Sequence, residues 1–217
     1  GFVGSALVAR LAAQGEAVVV PVRRRALARY LILLPTVDVV EADVHDPATL
    51  AALLRGADAV VNLVGILNES GRTTFARVHA DLARSVVDAC RAGGVRRLLH
   101  MSALNADPAG PSRYLRSKGE AEAAVVASGL AWTIFRPSVI FGAGDSFLTL
   151  FARLARALPV IALAAPDARF QPVHVGDVVT AFARSLDLPS AEGRCFDLCG
   201  PTVYTLRELV RFAAETS

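Results

Sequence analysis

The fold is decided by residues 37–64, VDVVEADVHDPATLAALLRGADAVVNLV. Two apolar runs rich in β-branched residues, 37–41 and 59–64, flank a helical stretch, 47–54, that stops at Gly56. Strands that are buried on both faces are continuously apolar, and helices connect them when they run parallel. The stretch therefore predicts a strand–helix–strand unit of a parallel sheet that is covered by helices.

The same alternation continues on both sides of this unit. Further strands are predicted at residues 17–22, 97–102, 131–136 and 194–198, and helices at 2–14, 26–34, 74–92, 112–128 and 147–157, with a further unit at 173–186 and a last helix from Leu206. We therefore expect a doubly wound α/β fold. Residues 1–142 are predicted to form the core of this fold. Residues 143–217 are predicted to form a smaller C-terminal lobe for substrate or partner, in which 170–187 packs back on the core.

The composition of the 217 residues excludes several classes of protein. A hydrophobic share of 53% is too high for a disordered chain, and a net charge of +3 without a dense basic face does not indicate a nucleic-acid partner. Three cysteines are too few for a disulfide framework or a four-ligand zinc site. No apolar run approaches the roughly 18 residues of a membrane span. The expected location is the cytoplasm, or the inner face of a membrane as a peripheral protein.

No metal site is predicted from the histidines. They stand at His45, His79, His100 and His174, and no pair has metal-ligand spacing on one element. We expect structural roles for each of them.

The chain opens on Gly1-Phe2-Val3-Gly4, followed by a helix rich in Ala and Leu. This order is typical of the last two glycines of a G-x-x-G-x-x-G loop, where the backbone approaches a pyrophosphate at a helix N-terminus. We expect all four residues to contact the cofactor. The first glycine of such a loop and its strand would lie upstream, so the chain is predicted to be a fragment whose first strand belongs between 17–22 and 59–64. The alternative is a helix that merely begins near glycine.

Three arginines, Arg23, Arg24 and Arg25, follow the strand at 17–22. NAD-selective sheets place an acid here to bind the ribose of the adenosine, whereas a guanidinium suits a 2′-phosphate. Arg23 is therefore expected to select NADP(H), with NAD(H) as the second candidate. Solvated arginines without a ligand would have the same sequence.

The ends of the next two strands also carry residues suited to a dinucleotide. Asp43-Val44 follows one strand, and a carboxylate there can accept a hydrogen bond from the adenine amino group. Leu63-Val64-Gly65 ends the other and offers small or apolar contacts where the cofactor passes. Ligands of such sheets lie beyond the carboxyl ends of the strands, so these residues predict one crevice. Residues 1–142 are therefore predicted to form a Rossmann-like dinucleotide-binding core.

Tyr114 and Lys118 form a Tyr-x-x-x-Lys pair at the start of the helix 112–128. This separation places phenol and ammonium on one helix face, where the cation can lower the pKa of the phenol and bind a nicotinamide ribose. Lys118 is the only lysine among 23 basic residues, which indicates a need for a compact ammonium. Ser102, at the end of the preceding strand, is the candidate for orienting a carbonyl. An ordinary surface helix turn is the alternative.

Longer segments complete the pattern. They are Glu41-Ala42-Asp43-Val44, Arg113-Tyr114-Leu115-Arg116-Ser117-Lys118, Phe135-Arg136-Pro137-Ser138-Val139-Ile140-Phe141-Gly142, Asp145-Ser146-Phe147-Leu148, Phe170-Gln171-Pro172-Val173-His174-Val175-Gly176-Asp177-Val178 and Gly200-Pro201. With the opening glycines, they resemble the atypical branch of the short-chain dehydrogenase/reductase superfamily. More narrowly, the chain is similar to the nucleotide-binding accessory subunits of mitochondrial complex I and their bacterial relatives.

The resemblance implies an oxidoreductase. Tyr114 would be the proton donor or acceptor for hydride transfer on a carbonyl-like or quinone-like group, Lys118 would orient the ribose and tune Tyr114, and Pro137 would lie on the nicotinamide side. Ser102 stands only 12 residues before Tyr114, a shorter gap than extended members of the superfamily have.

The complex I relatives are held to bind their nucleotide structurally, which implies an alternative. The chain would then be a non-catalytic module docked on a respiratory complex or another membrane-associated partner. The apolar stretch 147–163, with Arg153 and Arg156, is the predicted docking or membrane-surface face, unless it packs on the sheet as a lobe helix.

Overall fold

The structure, a computed structural model, describes residues 1–158 and 161–215. Its helices are α1 (Phe2–Ala13), α2 (Pro47–Leu53), α3 (Leu82–Gly93), α4 (Arg113–Val126), α5 (Phe147–Ala157), α6 (Val175–Leu186) and α7 (Leu206–Glu215). Its strands are β1 (Val18–Val22), β2 (Val37–Glu41), β3 (Ala59–Asn62), β4 (Arg97–Met101), β5 (Ala131–Pro137), β6 (Ile140–Phe141), β7 (Arg169–Phe170), β8 (Val173–His174), β9 (Arg194–Leu198) and β10 (Tyr204–Thr205). The predicted α/β fold with a parallel sheet is confirmed.

The main sheet has the order β3-β4-β5-β9, and all its strands run parallel. Strands β1 and β2 form a separate parallel pair, in which Val20 lies opposite Val39. Within the described residues, β1 and β3 are not hydrogen-bonded to each other. An upstream strand between β1 and β3 stays a prediction.

Two predicted helices differ from the structure. The segment predicted as a helix at 26–34 consists of two short 3₁₀ turns, Arg25–Ala28 and Leu31–Leu33. Its two buried side chains, Ala28 and Leu31, are three residues apart, which is the repeat of a 3₁₀ turn. The helix predicted at 74–92 begins with a π-helical turn, Ala76–Asp81, before α3.

Helices cover both faces of the main sheet. Cys90, Leu98, Val125 and Ile134 belong to the core between the sheet and α2, α3 and α4. On the other face, α1 and α6 pack on the sheet through a second core. The latter contains Val3, Leu7, Leu99, Phe135 and Phe182. This arrangement brings the beginnings of α1 and α4 to the edge where the parallel strands end.

Helix α5 packs against α7, and the Phe147 ring meets Phe151 edge-on and Phe170 at a tilt, at centroid distances of 5.3 and 5.9 Å. Residues 159–160, part of the predicted docking stretch, and 216–217, part of the predicted lobe, lie outside the described residues. Among residues 1–158 and 161–215, no helix is long and apolar enough to span a membrane.

Candidate functional site

The first turn of α1 offers backbone donors at the strand ends. No side chain caps this turn, and the N–H groups of residues 2–4 precede the first helical hydrogen bond, from Ser5 N to the Gly1 carbonyl at 2.8 Å. The Val3 side chain is buried and Phe2 is half-buried, so both would meet a ligand through their N–H groups. A Cβ on Gly4 would lie 3.7 Å from Leu63 Cδ1, which places Leu63 beside this turn.

The arginines after β1 are exposed. The backbone N–H of Arg25 donates to Glu41 Oε2 at 2.9 Å, so the acid at the end of β2 binds the arginine backbone. In the described part of the chain, neither Arg23 nor Arg24 has a carboxylate within ion-pair distance. Their guanidinium groups are free to bind a phosphate.

The other predicted cofactor residues lie at successive strand ends. Asp43 is exposed and accepts the His45 N–H at 3.0 Å, while the neighbouring Val44 packs on the core. Val64 is 40% exposed, and Gly65 is also exposed. Pro137 is buried at the end of β5, where its carbonyl accepts the Leu104 N–H at 3.0 Å.

The position of α4 is set by a cap and by a close approach. The Ser112 hydroxyl accepts the Leu115 N–H at 3.1 Å, which starts the helix. A Cβ on Gly119 would come within 2.3 Å of the backbone of Asp107 and Pro108, so the helix touches that loop directly. Only glycine allows this approach, and it fixes the helix that carries the predicted pair.

Lys118 is buried, with only 4% of its surface exposed. Its Nζ donates to the carbonyl of Met101, the last residue of β4, at 3.1 Å. Burial lowers the pKa of Lys118 to about 8, although the charge of Glu122 opposes this shift. Arg136 holds Glu122 in a two-pronged ion pair, with an Nε–Oε1 distance of 2.9 Å. The only lysine is therefore a desolvated ammonium at a strand end.

Tyr114, one helical turn before Lys118, packs edge-on against Phe75 and His79, at ring-centroid distances of 5.7 and 5.6 Å. Burial raises the pKa of Tyr114. This differs from the prediction that Lys118 lowers it, because desolvation of the phenolate dominates here. The phenol is therefore protonated at neutral pH.

His79 connects the loop after β3 to α4. Its Nε2 accepts the Ile66 N–H at 3.1 Å, and its Nδ1 lies 2.8 Å from Ser117 Oγ. Ser117 in turn donates to the Tyr114 carbonyl at 2.8 Å. Because that hydroxyl proton is committed, the ring proton sits on Nδ1 and donates to Ser117. Burial and the charge of Lys118 lower the pKa of His79 to about 4, so the ring is neutral.

A second buried imidazole lies on β4. His100 is 2% exposed, and its Nδ1 lies 3.3 Å from Asn62 Nδ2. Asn62 Oδ1 accepts the Val64 N–H at 3.1 Å, so the amide donates to His100 and the ring proton sits on Nε2. Burial, followed by the charges of Lys118 and His79, lowers the pKa of His100 to about 3.

Ser102 is 3% exposed, and its hydroxyl is buried without a hydrogen-bond partner among the described residues. His100 Nε2 is also buried without such a partner. Buried polar atoms almost always find partners, so two orphaned groups on one strand end fit a site that receives a polar ligand.

The structure places His79 and His100 within the field of Lys118, which the sequence alone does not predict. The sequence predicts structural roles for both, because no pair of histidines has metal-ligand spacing on one element. A Cβ on Gly65 would lie 3.3 Å from Lys118 Nζ and 3.6 Å from His79 Nε2, so Gly65, Lys118 and His79 lie close together. No spacing pattern could have found residues that different elements bring together. The described residues contain no group of three or more metal-ligating side chains.

Comparisons with known proteins identify the family of this chain. A family described as NAD(P)H-binding matches residues 1–145. NADH dehydrogenase (ubiquinone) 1 alpha subcomplex subunit 9 is 32% identical in Mus musculus and 34% identical in Arabidopsis thaliana, over 98% and 96% of this chain. The chain spans only 58% and 54% of those two relatives. A ceramide reductase from Caulobacter vibrioides is 34% identical over 99% of this chain and 67% of its own length.

Solved structures share the fold. A dTDP-glucose 4,6-dehydratase from Streptomyces venezuelae with NAD bound superposes with a TM-score of 0.85 at 22% identity, over 100% of this chain and 78% of the other. A Thermus thermophilus UDP-glucose 4-epimerase with NAD gives 0.83 at 23% identity, over 99% and 80%. The predicted resemblance is confirmed, and the chain belongs to a family of NAD(P)H-binding proteins.

Proposed function

We propose that this chain binds NADP(H) and acts as an oxidoreductase on a carbonyl-like or quinone-like group, with Tyr114 and Lys118 as its reacting pair. The observation that carries the proposal is the placement of Lys118. Its ammonium is buried at the carboxyl end of β4, one helical turn from Tyr114, with a single backbone carbonyl as acceptor. A desolvated ammonium is unfavourable for folding, and strongly perturbed groups of this kind cluster at functional sites.

The cofactor would lie across the strand ends. The N–H groups of the α1 turn at Gly1-Phe2-Val3-Gly4 would bind the pyrophosphate, and Arg23 the 2′-phosphate. Asp43-Val44 would contact the adenine, Leu63-Val64-Gly65 the middle of the dinucleotide, and Pro137 the nicotinamide side. The uncapped helix turn, the unpaired arginine and the orphaned polar atoms of β4 all fit such a ligand. When bound, the nicotinamide supplies or accepts the hydride.

The side chains would supply the proton that accompanies hydride transfer. Tyr114 is protonated at neutral pH, so it would donate its phenolic proton to a substrate oxygen when a carbonyl is reduced. Lys118 would stabilise the phenolate that remains and bind the ribose. Ser102 would donate a hydrogen bond from its unpartnered hydroxyl to the same oxygen and keep its proton, and neutral His79 would hold α4 against the loop after β3.

A Tyr114→Phe variant tests the catalytic role. Turnover in a screen of carbonyl and quinone substrates with NADPH should fall by about 10²-fold or more, because general acid catalysis is lost. NADPH affinity should stay nearly unchanged, because the ring and its packing remain. Tyr204→Phe, which removes an exposed phenol outside the proposed site, is the matched control. Turnover retained in Tyr114→Phe would remove the acid/base assignment.

An Arg23→Ala variant tests the choice of cofactor. The parent should bind NADPH more tightly than NADH, and the variant should narrow this difference by about 1–3 kcal/mol, the contribution of a charge-assisted contact. Fluorescence titrations with both nucleotides measure it, with Arg55→Ala as the exposed-arginine control. Equal affinities in the parent would contradict the NADP(H) assignment.

The second candidate is a non-catalytic nucleotide-binding module of a respiratory complex or another membrane-associated partner. The names of the Mus musculus and Arabidopsis thaliana relatives favour it. Its location would be the cytoplasm or the inner face of a membrane, and residues 143–217 would form the lobe that contacts substrate or partner. A nucleotide that copurifies with the chain, without turnover and without an effect of Tyr114→Phe, would support this candidate.

A further inference from the structure

Residues 23–34, here called the basic-apolar segment, combine exposed cations with exposed large apolar side chains. Four of its residues are arginines, and it contains no acid. The exposed fractions of Leu27 and Leu33 are 72% and 83%, and those of Tyr30 and Ile32 are 50% and 43%. Single exposed apolar residues are ordinary, but four within seven residues form a patch.

Buried side chains and a hydrogen bond to α1 fix the position of the patch. Ala28 and Leu31 are buried in a small core with Val8 and Val39. The Tyr30 hydroxyl lies 2.6 Å from the hydroxyl of Ser5 on α1, so one edge of the patch is hydrogen-bonded to that helix. The two 3₁₀ turns therefore present Leu27, Ile32 and Leu33 outward from a packed base. Because the backbone is fixed by this base, the three exposed side chains do not fold back into the core.

The charge of the segment is not neutralised by its neighbours. Within the described ranges, none of its arginines lies within ion-pair distance of a carboxylate. The nearest acid with a stated contact, Glu41, binds the backbone N–H of Arg25. The surface therefore carries unpaired positive charge beside apolar tips, which is complementary to anionic headgroups that lie over a hydrocarbon layer.

We infer that the basic-apolar segment docks this protein on an anionic lipid bilayer, with Leu27 and Leu33 entering the interface and Arg29 binding lipid phosphates. A protein partner would need acids placed at matching positions and a groove for the protruding leucines. A bilayer requires neither, because its charge is continuous and its interior accepts any apolar tip. The assignment differs from the predicted face at 147–163, part of which is covered because α5 packs against α7. The segment also contains Arg23, which the proposed function assigns to the 2′-phosphate, so the inference rests on Leu27, Arg29 and Leu33, which lie outside the proposed nucleotide site.

The test is flotation of the full chain with vesicles of phosphatidylglycerol and phosphatidylcholine in equal parts, and with phosphatidylcholine alone. We expect binding to the anionic vesicles that weakens as salt is raised, and little binding to the neutral ones. Leu27→Ser with Leu33→Ser, and separately Arg29→Gln, should each weaken the binding about fivefold or more. None of these residues belongs to the proposed nucleotide site, so NADPH titration of each variant reports that it is folded.

Matched controls remove the same chemistry elsewhere. Leu150→Ser with Leu188→Ser removes two exposed leucines, and Arg55→Gln removes one exposed arginine. Their binding should stay within about twofold of the parent, because neither lies on the patch. Loss of binding in these controls, or no binding of the parent to anionic vesicles, would overturn the inference. The inference would also be overturned if the parent sediments as a dimer and the Leu27→Ser, Leu33→Ser variant sediments as a monomer. The patch would then be an interface between two copies of the chain.

Discussion

Replacing Lys118 by Met should stabilise the folded protein while it abolishes the proposed function. Lys118 is 4% exposed, and the only hydrogen bond of its ammonium among the described residues goes to the Met101 carbonyl. Glu122 is already held by Arg136. Met fills a similar volume without a charge, so the substitution removes a desolvated cation and leaves a neutral, packed side chain.

The stabilisation expected for Lys118→Met follows from the pKa of Lys118. A pKa of about 8 for Lys118, in place of the ordinary 10.5, corresponds to about 3 kcal/mol by which the buried ammonium destabilises the fold near neutral pH. The Met101 carbonyl loses its donor in the variant, which offsets roughly 1 kcal/mol. The net gain should be about 1–3 kcal/mol, or a Tm higher by about 2–10 °C in a chain of this size.

The pH dependence gives the sharper readout. Below about pH 8 the amine is protonated in both the folded and unfolded chain, and the destabilisation is complete. Between about pH 8 and 10.5 the unfolded chain retains a proton that the folded chain has released, so the stability of the parent rises with pH. The advantage of Lys118→Met should therefore shrink across that range.

Urea unfolding near pH 7 and near pH 10 measures the difference in unfolding free energy between Lys118→Met and the parent at each pH. Arg55→Met is the exposed control. If Lys118→Met is less stable than the parent at neutral pH, or if its advantage does not change with pH, the ammonium is not the destabilising group. NADPH binding should be weakened in the same variant, because the ribose loses its cation.

Two further predictions concern the surroundings of this lysine. Because burial lowers the pKa of His79 to about 4 and of His100 to about 3, the unfolded chain binds more protons below the ordinary 6.5. Unfolding free energy should therefore fall as the pH drops below about 6.5, and His79→Gln should flatten that profile; an equally steep profile in the variant would contradict this origin. Gly119→Ala should lower the Tm although alanine favours helices, because its Cβ would meet the 107–108 backbone at 2.3 Å, whereas Gly4→Ala, with 3.7 Å to its nearest neighbour, should not. Equal melting of the two variants would refute the close packing of α4.

Much of the architecture could be predicted because it is local. Apolar runs such as 37–41 and 59–64 specify strands buried on both faces, and residues such as Ser112 start helices, so the order of elements follows from short stretches of sequence. The segment 26–34 shows the limit of this reasoning. Its composition suits a helix, but packing of Ala28 and Leu31 on the β1–β2 pair selects 3₁₀ turns and turns four large apolar side chains outward.

In the candidate site, too, some features follow from the sequence and others depend on the tertiary structure. Tyr114 and Lys118 are four residues apart on one helix, so their shared face is a property of the sequence alone. The burial that lowers the pKa of Lys118 comes from tertiary packing, in which its ammonium donates to the Met101 carbonyl at the end of β4. Only the tertiary structure brings His79 and His100 to that ammonium, because desolvation and the charges of distant groups depend on how complete elements pack and not on the order of residues.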